Sequence, residues 1–392
     1  MDRPEAPPAS TMRPSLLSDW RTALLIFAAY RLILFGFDFL AGAMTLPNPV
    51  AQIHPDDPWQ AFPDSRFWDG WARWDAGWYR SIVEHGYSAR RGKTSNVAFF
   101  PLYPLATKAV AAVVGNHWVA GLVVSNLAAA GSLFFLLRIA RPILGEDGAR
   151  RSLAYLLAFP TSFFLSAYYS EAIFLLTTSA SFSYYLDRKP ARCALWGFLA
   201  TMARPTGVAL FLAFAAGSAW EIARGREKLR ASLLWLALIP GGVAAFMAIL
   251  YVQVGDPLAF VTAHGAWGRS SASPHVALYE AIAGADWTFP RDLINAVTLL
   301  DAVSAIAFLI LPCFLFGRCH PALPIYALLL ILVPLATGSV KSMMRLELVA
   351  FPTFFVLARF GARPEVDRAI IFASALGLGL LNVLFANWFW VG

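Results

Sequence analysis

Charge is scarce in this sequence: Asp, Glu, Lys and Arg make up 14% of its 392 residues, where a soluble domain carries about a quarter. No polar block of domain size interrupts the apolar segments that recur from residue 22 onward, so a set of soluble domains is excluded. Cysteine is scarce as well. Cys193, Cys313 and Cys319 fall in or beside apolar segments without metal-ligand spacing, which argues against a disulfide framework or a zinc site. No Gly-rich phosphate loop is present, so a nucleotide substrate is not expected. The formal charge of +7 does not come from a basic run with interleaved aromatics, and nucleic acid is not an expected partner. Apart from the neighbouring Asp56 and Asp57, no acidic pair has metal spacing. Neither a metal nor a cofactor is expected.

What the chain has is hydrophobicity: 58% of its residues, with a mean hydropathy of +0.59. A spanning helix needs about 20 apolar residues. Such segments fall at about 22–44, 118–138, 151–167, 169–186, 232–252, 294–316, 322–339, 343–360 and 369–389. The stretch 193–222 is flanked by basic residues at both ends and interrupted at Arg204-Pro205; it reads as two short helices meeting at a turn. The expectation is an all-α polytopic membrane protein of about eleven transmembrane helices, with its N-terminus inside. Residues 1–18, rich in Pro, Ala and Ser, read as a disordered tail, and 19–392 as one membrane domain. The apolar run after Arg21 is too long for a cleaved signal. On this topology 18 of the 31 Lys and Arg lie on cytoplasmic segments and 12 outside, as the positive-inside rule requires. Seven of those twelve sit in one long outer loop, 45–117.

That loop holds two apolar stretches of interfacial character, 67–86 and 99–115. At about 100° per residue, Phe67, Trp71, Trp74, Trp78 and Ile82 share one face of a helix over 67–86, with Asp69, Arg73, Arg80 and Glu84 opposite. Asp75 falls at the edge of the aromatic face and Asp69 in the middle of the polar one. A carboxylate among indoles at a water-poor surface suits a general base; the plainer alternative is an aromatic belt with incidental charge. A second outer loop, about 253–293, carries His264, Trp267, His275, Asp286 and Trp287 and is long enough to cover a site.

Ionisable residues beside apolar spans narrow the choice, because each costs about 2.5–3.5 kcal/mol at a bilayer centre. Glu171, Arg204, and the trio Lys341, Arg345 and Glu347 all fall at predicted outer turns. Local pairing, Glu171 with Arg204 or Arg345 with Glu347, would explain some of them. Convergence of Asp75, Glu171, Arg204 and Arg345 on one membrane face from four separate turns points instead to a site. A base beside several cations fits a sugar linked to a lipid phosphate: the cations hold the phosphate leaving group while the carboxylate takes the acceptor's proton. A non-enzymatic flippase or transporter for such lipids is the rival reading, although transporters tend to show half-repeats with midplane sites and no repeat is evident here.

The run Arg73-Trp74-Asp75-Ala76-Gly77-Trp78-Tyr79 through Glu84-His85-Gly86-Tyr87, followed by Ala98-Phe99-Phe100-Pro101-Leu102-Tyr103-Pro104, resembles the first outer loop of the GPI mannosyltransferase 2 family and its bacterial relatives. Phe159-Pro160-Thr161-Ser162 with Tyr169-Ser170-Glu171, then Ala203-Arg204-Pro205-Thr206-Gly207, then Ser342-Met343-Met344-Arg345 with Phe351-Pro352, resemble later blocks of that family in order. The resemblance implies a GT-C fold with its active site on the non-cytoplasmic face. It also implies a polyprenyl- or dolichyl-phosphate-linked mannose donor and inverting transfer in one displacement. By that similarity Asp75 is the catalytic base. Arg73, Trp74, Trp78, Tyr79, Glu84, His85, Glu171, Arg204, Lys341 and Arg345 are the expected substrate-binding residues. The acceptor, a lipid, glycan or protein hydroxyl, does not carry over, and another lipid-linked sugar stays open. The Ala-, Gly- and Arg-rich composition looks bacterial, which sets the expected location as the plasma membrane with the site facing outside, or the endoplasmic reticulum membrane in a eukaryote.

Overall fold

The structure, a computed structural model, describes residues 16–44, 61–90, 92–226, 228, 231–285 and 293–392. These residues form helices and their connections, with no strand among them. Among the described residues six helical segments are long and apolar enough to cross a membrane: Leu16–Ala43, His117–Ala158, Pro205–Ala223, Ala231–Val254, Leu293–Leu315 and Pro364–Ala386. Large apolar side chains such as Leu25, Leu32, Ile33 and Phe39 on the first of these, or Phe372 and Leu376 on the last, are exposed. In lipid that is a stable position, because the hydrocarbon tails are as apolar as these side chains.

The helices in chain order are α1 (Leu16–Met44), α2 (Arg66–Asp69), α3 (Ala76–His85), α4 (Leu102–Val114), α5 (His117–Ala158), α6 (Glu171–Leu186), α7 (Pro190–Ala203) and α8 (Val208–Ala223). They continue as α9 (Gly241–Val254), α10 (Ala259–Ala266), α11 (Pro274–Ala283), α12 (Leu293–Ile310), α13 (Ala322–Leu335), α14 (Met343–Glu347), α15 (Pro352–Phe360) and α16 (Pro364–Ala386). α5 starts at Asn116, whose side chain accepts from Val119 N, and runs on through the expected cytoplasmic loop. A break at Gly145 (φ 73°) separates its two halves. α7 and α8 meet at Arg204–Gly207, where a Cβ on Gly207 would lie 2.8 Å from the Ala200 carbonyl. Phe174, Phe182, Phe214 and Tyr326 are fully buried at the centre of the bundle.

Three expectations change. The continuous helix over 67–86 is two helices, because α2 ends at Gly70 and Trp74 takes a left-handed conformation (φ 53°) before α3 starts. Asp69 is consequently not on a solvated face: it is 5% exposed and accepts from Arg73 Nη1 at 2.6 Å. The span expected at 343–360 is broken into α14 and α15. Arg345 and Glu347 are buried inside the protein there, which keeps both ionisable side chains out of lipid.

Asp75, Glu171, Arg204 and Arg345 lie at one end of the bundle, and Asp147 lies near the Gly145 break at the other. With the native cysteines replaced by Ser, a thiol introduced at exposed Ser271 should react with an impermeant reagent from outside the cell. One at exposed Asp147 should react only after permeabilisation. Labelling of Asp147→Cys in intact cells would invert the orientation.

Candidate active site

The site is assembled at four chain turns. Asp75 immediately precedes α3, and its backbone is fixed by Tyr169, whose hydroxyl accepts from Asp75 N at 3.1 Å and donates to Arg73 O at 2.8 Å. The left-handed Trp74 just before it costs of order 1–3 kcal/mol and persists only where the surroundings impose it. Glu171 opens α6. A Cβ on Gly121 would lie 2.1 Å from the Tyr168 ring, so the bare glycine lets α5 pack directly against this turn. Tyr79 ties α3 to the same turn by donating to Ser170 Oγ at 2.7 Å. Burial, then the Glu171 carboxylate, pushes the Tyr79 phenol upward and keeps it a neutral donor. Arg204 stands at the α7–α8 turn and Arg345 on α14.

An ionic network joins the four. Arg345 Nη1 lies 2.7 Å from Asp75 Oδ2, Arg345 Nε 3.5 Å from Glu171 Oε1, and Arg204 Nη2 2.9 Å from the same oxygen. Asp75 is 7% exposed, Arg345 8% and Glu171 0%, a depth at which charges persist only when paired. The Glu171 contacts are Coulombic rather than aligned hydrogen bonds. Arg204 Nη1 and Arg345 Nε, both buried, have no hydrogen-bond partner among the described residues.

The network borders a cavity of about 350 Å³, which Asp75, Arg204 and Arg345 line together with Tyr79, Phe99, Trp267, Arg269, Lys341 and Trp390. Arg269 donates to Thr337 Oγ1 at 3.0 Å. Burial and then the neighbouring Arg345 and Arg204 guanidiniums draw its pKa down, partly offset by Asp75. That direction is the signature of crowded positive charge, although a guanidinium stays protonated. Four cations line the cavity, and Asp75 with the adjacent Glu171 supplies two negative charges, which leaves an excess of +2.

The remaining expected site residues are distributed around it. Trp74 packs edge-on against Trp390 at 5.2 Å and Trp388 at 5.9 Å. Trp78 stacks on Phe99 and meets Trp267 edge-on at 5.6 Å, behind the cavity wall. Lys341 Nζ lies 4.9 Å from the Trp390 ring centroid. Arg73 binds Asp69, donates to Ala386 O at 3.1 Å and lies over Trp388; it fastens this region to the end of α16 and does not line the cavity. Glu84 pairs with Arg80 and with His117 at 3.1 Å, and the His85 side chain is 77% exposed; neither lines the cavity. Arg269 and Trp390 line it without having been singled out from the sequence. An arginine two residues after Trp267 in the loop expected to cover the site was the available signal for the first. Asp56, Asp57, Asp286 and Trp287 lie outside the described residues, as does the His264 side chain. Among the described residues no group of three His, Cys, Asp or Glu is close enough to hold a metal ion.

No protein-family model matches the chain, and a sequence search of curated proteins finds no match. Its fold is shared with solved structures. ArnT from Cupriavidus metallidurans bound to undecaprenyl phosphate superposes with a TM-score of 0.54 at 14% identity, over 90% of this chain and 62% of that one. ArnT from the same organism in the apo state gives 0.52 at 14% identity, over 95% and 77%. The chain thus spans less than two thirds of the length of the first. Its all-helical, polytopic fold, with six segments among the described residues long and apolar enough to cross a membrane and shorter apolar helices beside them, is the fold it shares with these structures.

Proposed function

We propose that this cavity transfers a sugar from a polyprenyl-phosphate-linked donor to an acceptor hydroxyl at the non-cytoplasmic face of the membrane. The observation that carries the reading is four cations and Asp75 around one cavity with Glu171 beside it, an excess of +2, together with two buried guanidinium nitrogens that have no hydrogen-bond partner among the described residues. A phosphodiester-linked sugar brings one negative charge; its leaving group, a phosphate monoester, approaches two. As a carboxylate of the site takes up the acceptor's proton, the site's positive excess rises while the phosphate gains negative charge, so the attraction between them is stronger in the transition state than in the ground state.

In this mechanism the acceptor hydroxyl gives its proton to Asp75 as its oxygen bonds to the anomeric carbon. The bond from that carbon to the phosphate oxygen breaks, and the electron pair leaves on the lipid phosphate with inversion at the sugar. Arg345 occupies Asp75 Oδ2, so the phosphate competes with Asp75 for this guanidinium. Arg204, Arg269 and Lys341 complete the phosphate cradle, while Trp267, Phe99 and Trp390 exclude water.

Mannose is the sugar that the Arg73–Tyr79 block favours, through its likeness to the GPI mannosyltransferase 2 family. The undecaprenyl phosphate bound to the similar ArnT supports a polyprenyl phosphate as the carrier. Incubating the purified protein with a panel of polyprenyl-phosphate sugars, scoring transfer and hydrolysis, tests the reading and identifies the sugar. Carrier translocation without any cleavage would favour a flippase instead.

A further inference from the structure

One face of α12 grips α14 at both ends. Asp301, 2% exposed, accepts hydrogen bonds from Ser342 N at 2.9 Å and Met344 N at 2.8 Å. Ser304, one turn further along the same face, donates to the carboxylate of Glu347, which is fully buried. Arg345 lies between these two anchors. α14 has only five residues, far too few to hold a helical shape unaided. It begins after Ser342, whose φ of 69° places a non-glycine residue in the left-handed region, a strained state that must be imposed from outside.

Asp301 does not line the cavity, and no step of the proposed transfer uses it. A buried carboxylate is costly unless hydrogen bonds compensate it, and its bonds here go to the two amides that define the turn before Arg345. We infer that Asp301 is the positioning residue for Arg345. Its carboxylate holds the strained Ser342 turn so that the guanidinium reaches Asp75 and the phosphate, and the Ser304–Glu347 contact fixes the far end. The inference rests on the reading of Arg345 as a donor-handling cation.

The test uses the full-length purified protein and two readouts. In Asp301→Asn, hydrogen exchange at residues 342–347 should accelerate by about tenfold or more. The kcat/KM for the donor should fall by roughly 10- to 100-fold, the scale of lost hydrogen bonds to a charged group. Adding Ser342→Gly should restore at least part of that loss, because glycine adopts the left-handed conformation without strain; a merely stabilising role in the core would not respond. Asp301→Glu, which keeps the charge but displaces the oxygens, gives the same readouts if the Asn variant does not accumulate. Unchanged exchange, or faster exchange with unchanged donor kcat/KM, or no recovery with Ser342→Gly, would overturn the inference. A wild-type protein inactive towards every donor would instead sink the functional reading, and exchange alone would then decide whether Asp301 holds the turn.

Discussion

Asp75→Asn should reduce sugar transfer by about a hundred- to ten-thousand-fold, the usual cost of losing a general base. Asn keeps the size of Asp and can still accept from Arg345, so the thermal midpoint should stay near that of wild type. The donor KM should not rise, because the guanidinium that Asp75 engages at 2.7 Å becomes freer to meet the phosphate. Asp69→Asn is the contrasting variant. Asp69 is buried against Arg73 at 2.6 Å, and removing one partner of a buried pair costs roughly 3–5 kcal/mol. Its loss should therefore appear as poor expression and a lowered midpoint. Transfer measured per folded molecule separates the two cases. An Asp75→Asn enzyme within a few-fold of wild type would move the base elsewhere, with Glu171 the next carboxylate at the site.

The second large effect is expected at the cations. Arg269 has no carboxylate within ion-pairing distance among the described residues, whereas Arg345 balances both Asp75 and Glu171. Arg269→Ala should therefore lower donor kcat/KM by roughly 10- to 150-fold, a charge-assisted contact of about 1.5–3 kcal/mol, with little change in unfolding temperature. Arg345→Ala should lose a similar factor and also lose stability, because two buried carboxylates are left without it. Donor titrations and thermal unfolding on both variants check this. Wild-type donor dependence in both would mean that neither guanidinium handles phosphate.

Much of this arrangement is legible in the sequence because charge beside apolar segments is expensive. Glu171, Arg204 and Arg345 stand at the ends of such segments and meet in the structure for that reason. The Arg204-Pro205 interruption marks the α7–α8 turn, since proline stops a helix. Periodicity fails where the backbone breaks: over 67–86 it assumes one helix, and nothing in the residue type of Trp74 announces a left-handed conformation. Asp69 and Arg73 are four apart, a spacing equally suited to a solvated pair or a buried one. Contact with the end of α16, more than 300 residues away along the chain, decides for burial. Hydropathy over 343–360 likewise cannot tell a lipid-facing span from two short helices buried in protein. Arg269 and Trp390 join the site through tertiary contacts with Thr337, Lys341 and Trp74 that no local pattern encodes.

In the most direct assay, purified protein in lipid receives polyprenyl-phosphate mannose, and related donors, together with membrane extract as the source of acceptors. The expected result is sugar transfer from one donor class, with one polyprenyl phosphate monoester released per sugar transferred, and the loss of both products in Asp75→Asn. Folded, correctly oriented protein that cleaves none of the donors, or that cleaves them equally well without Asp75, would contradict it.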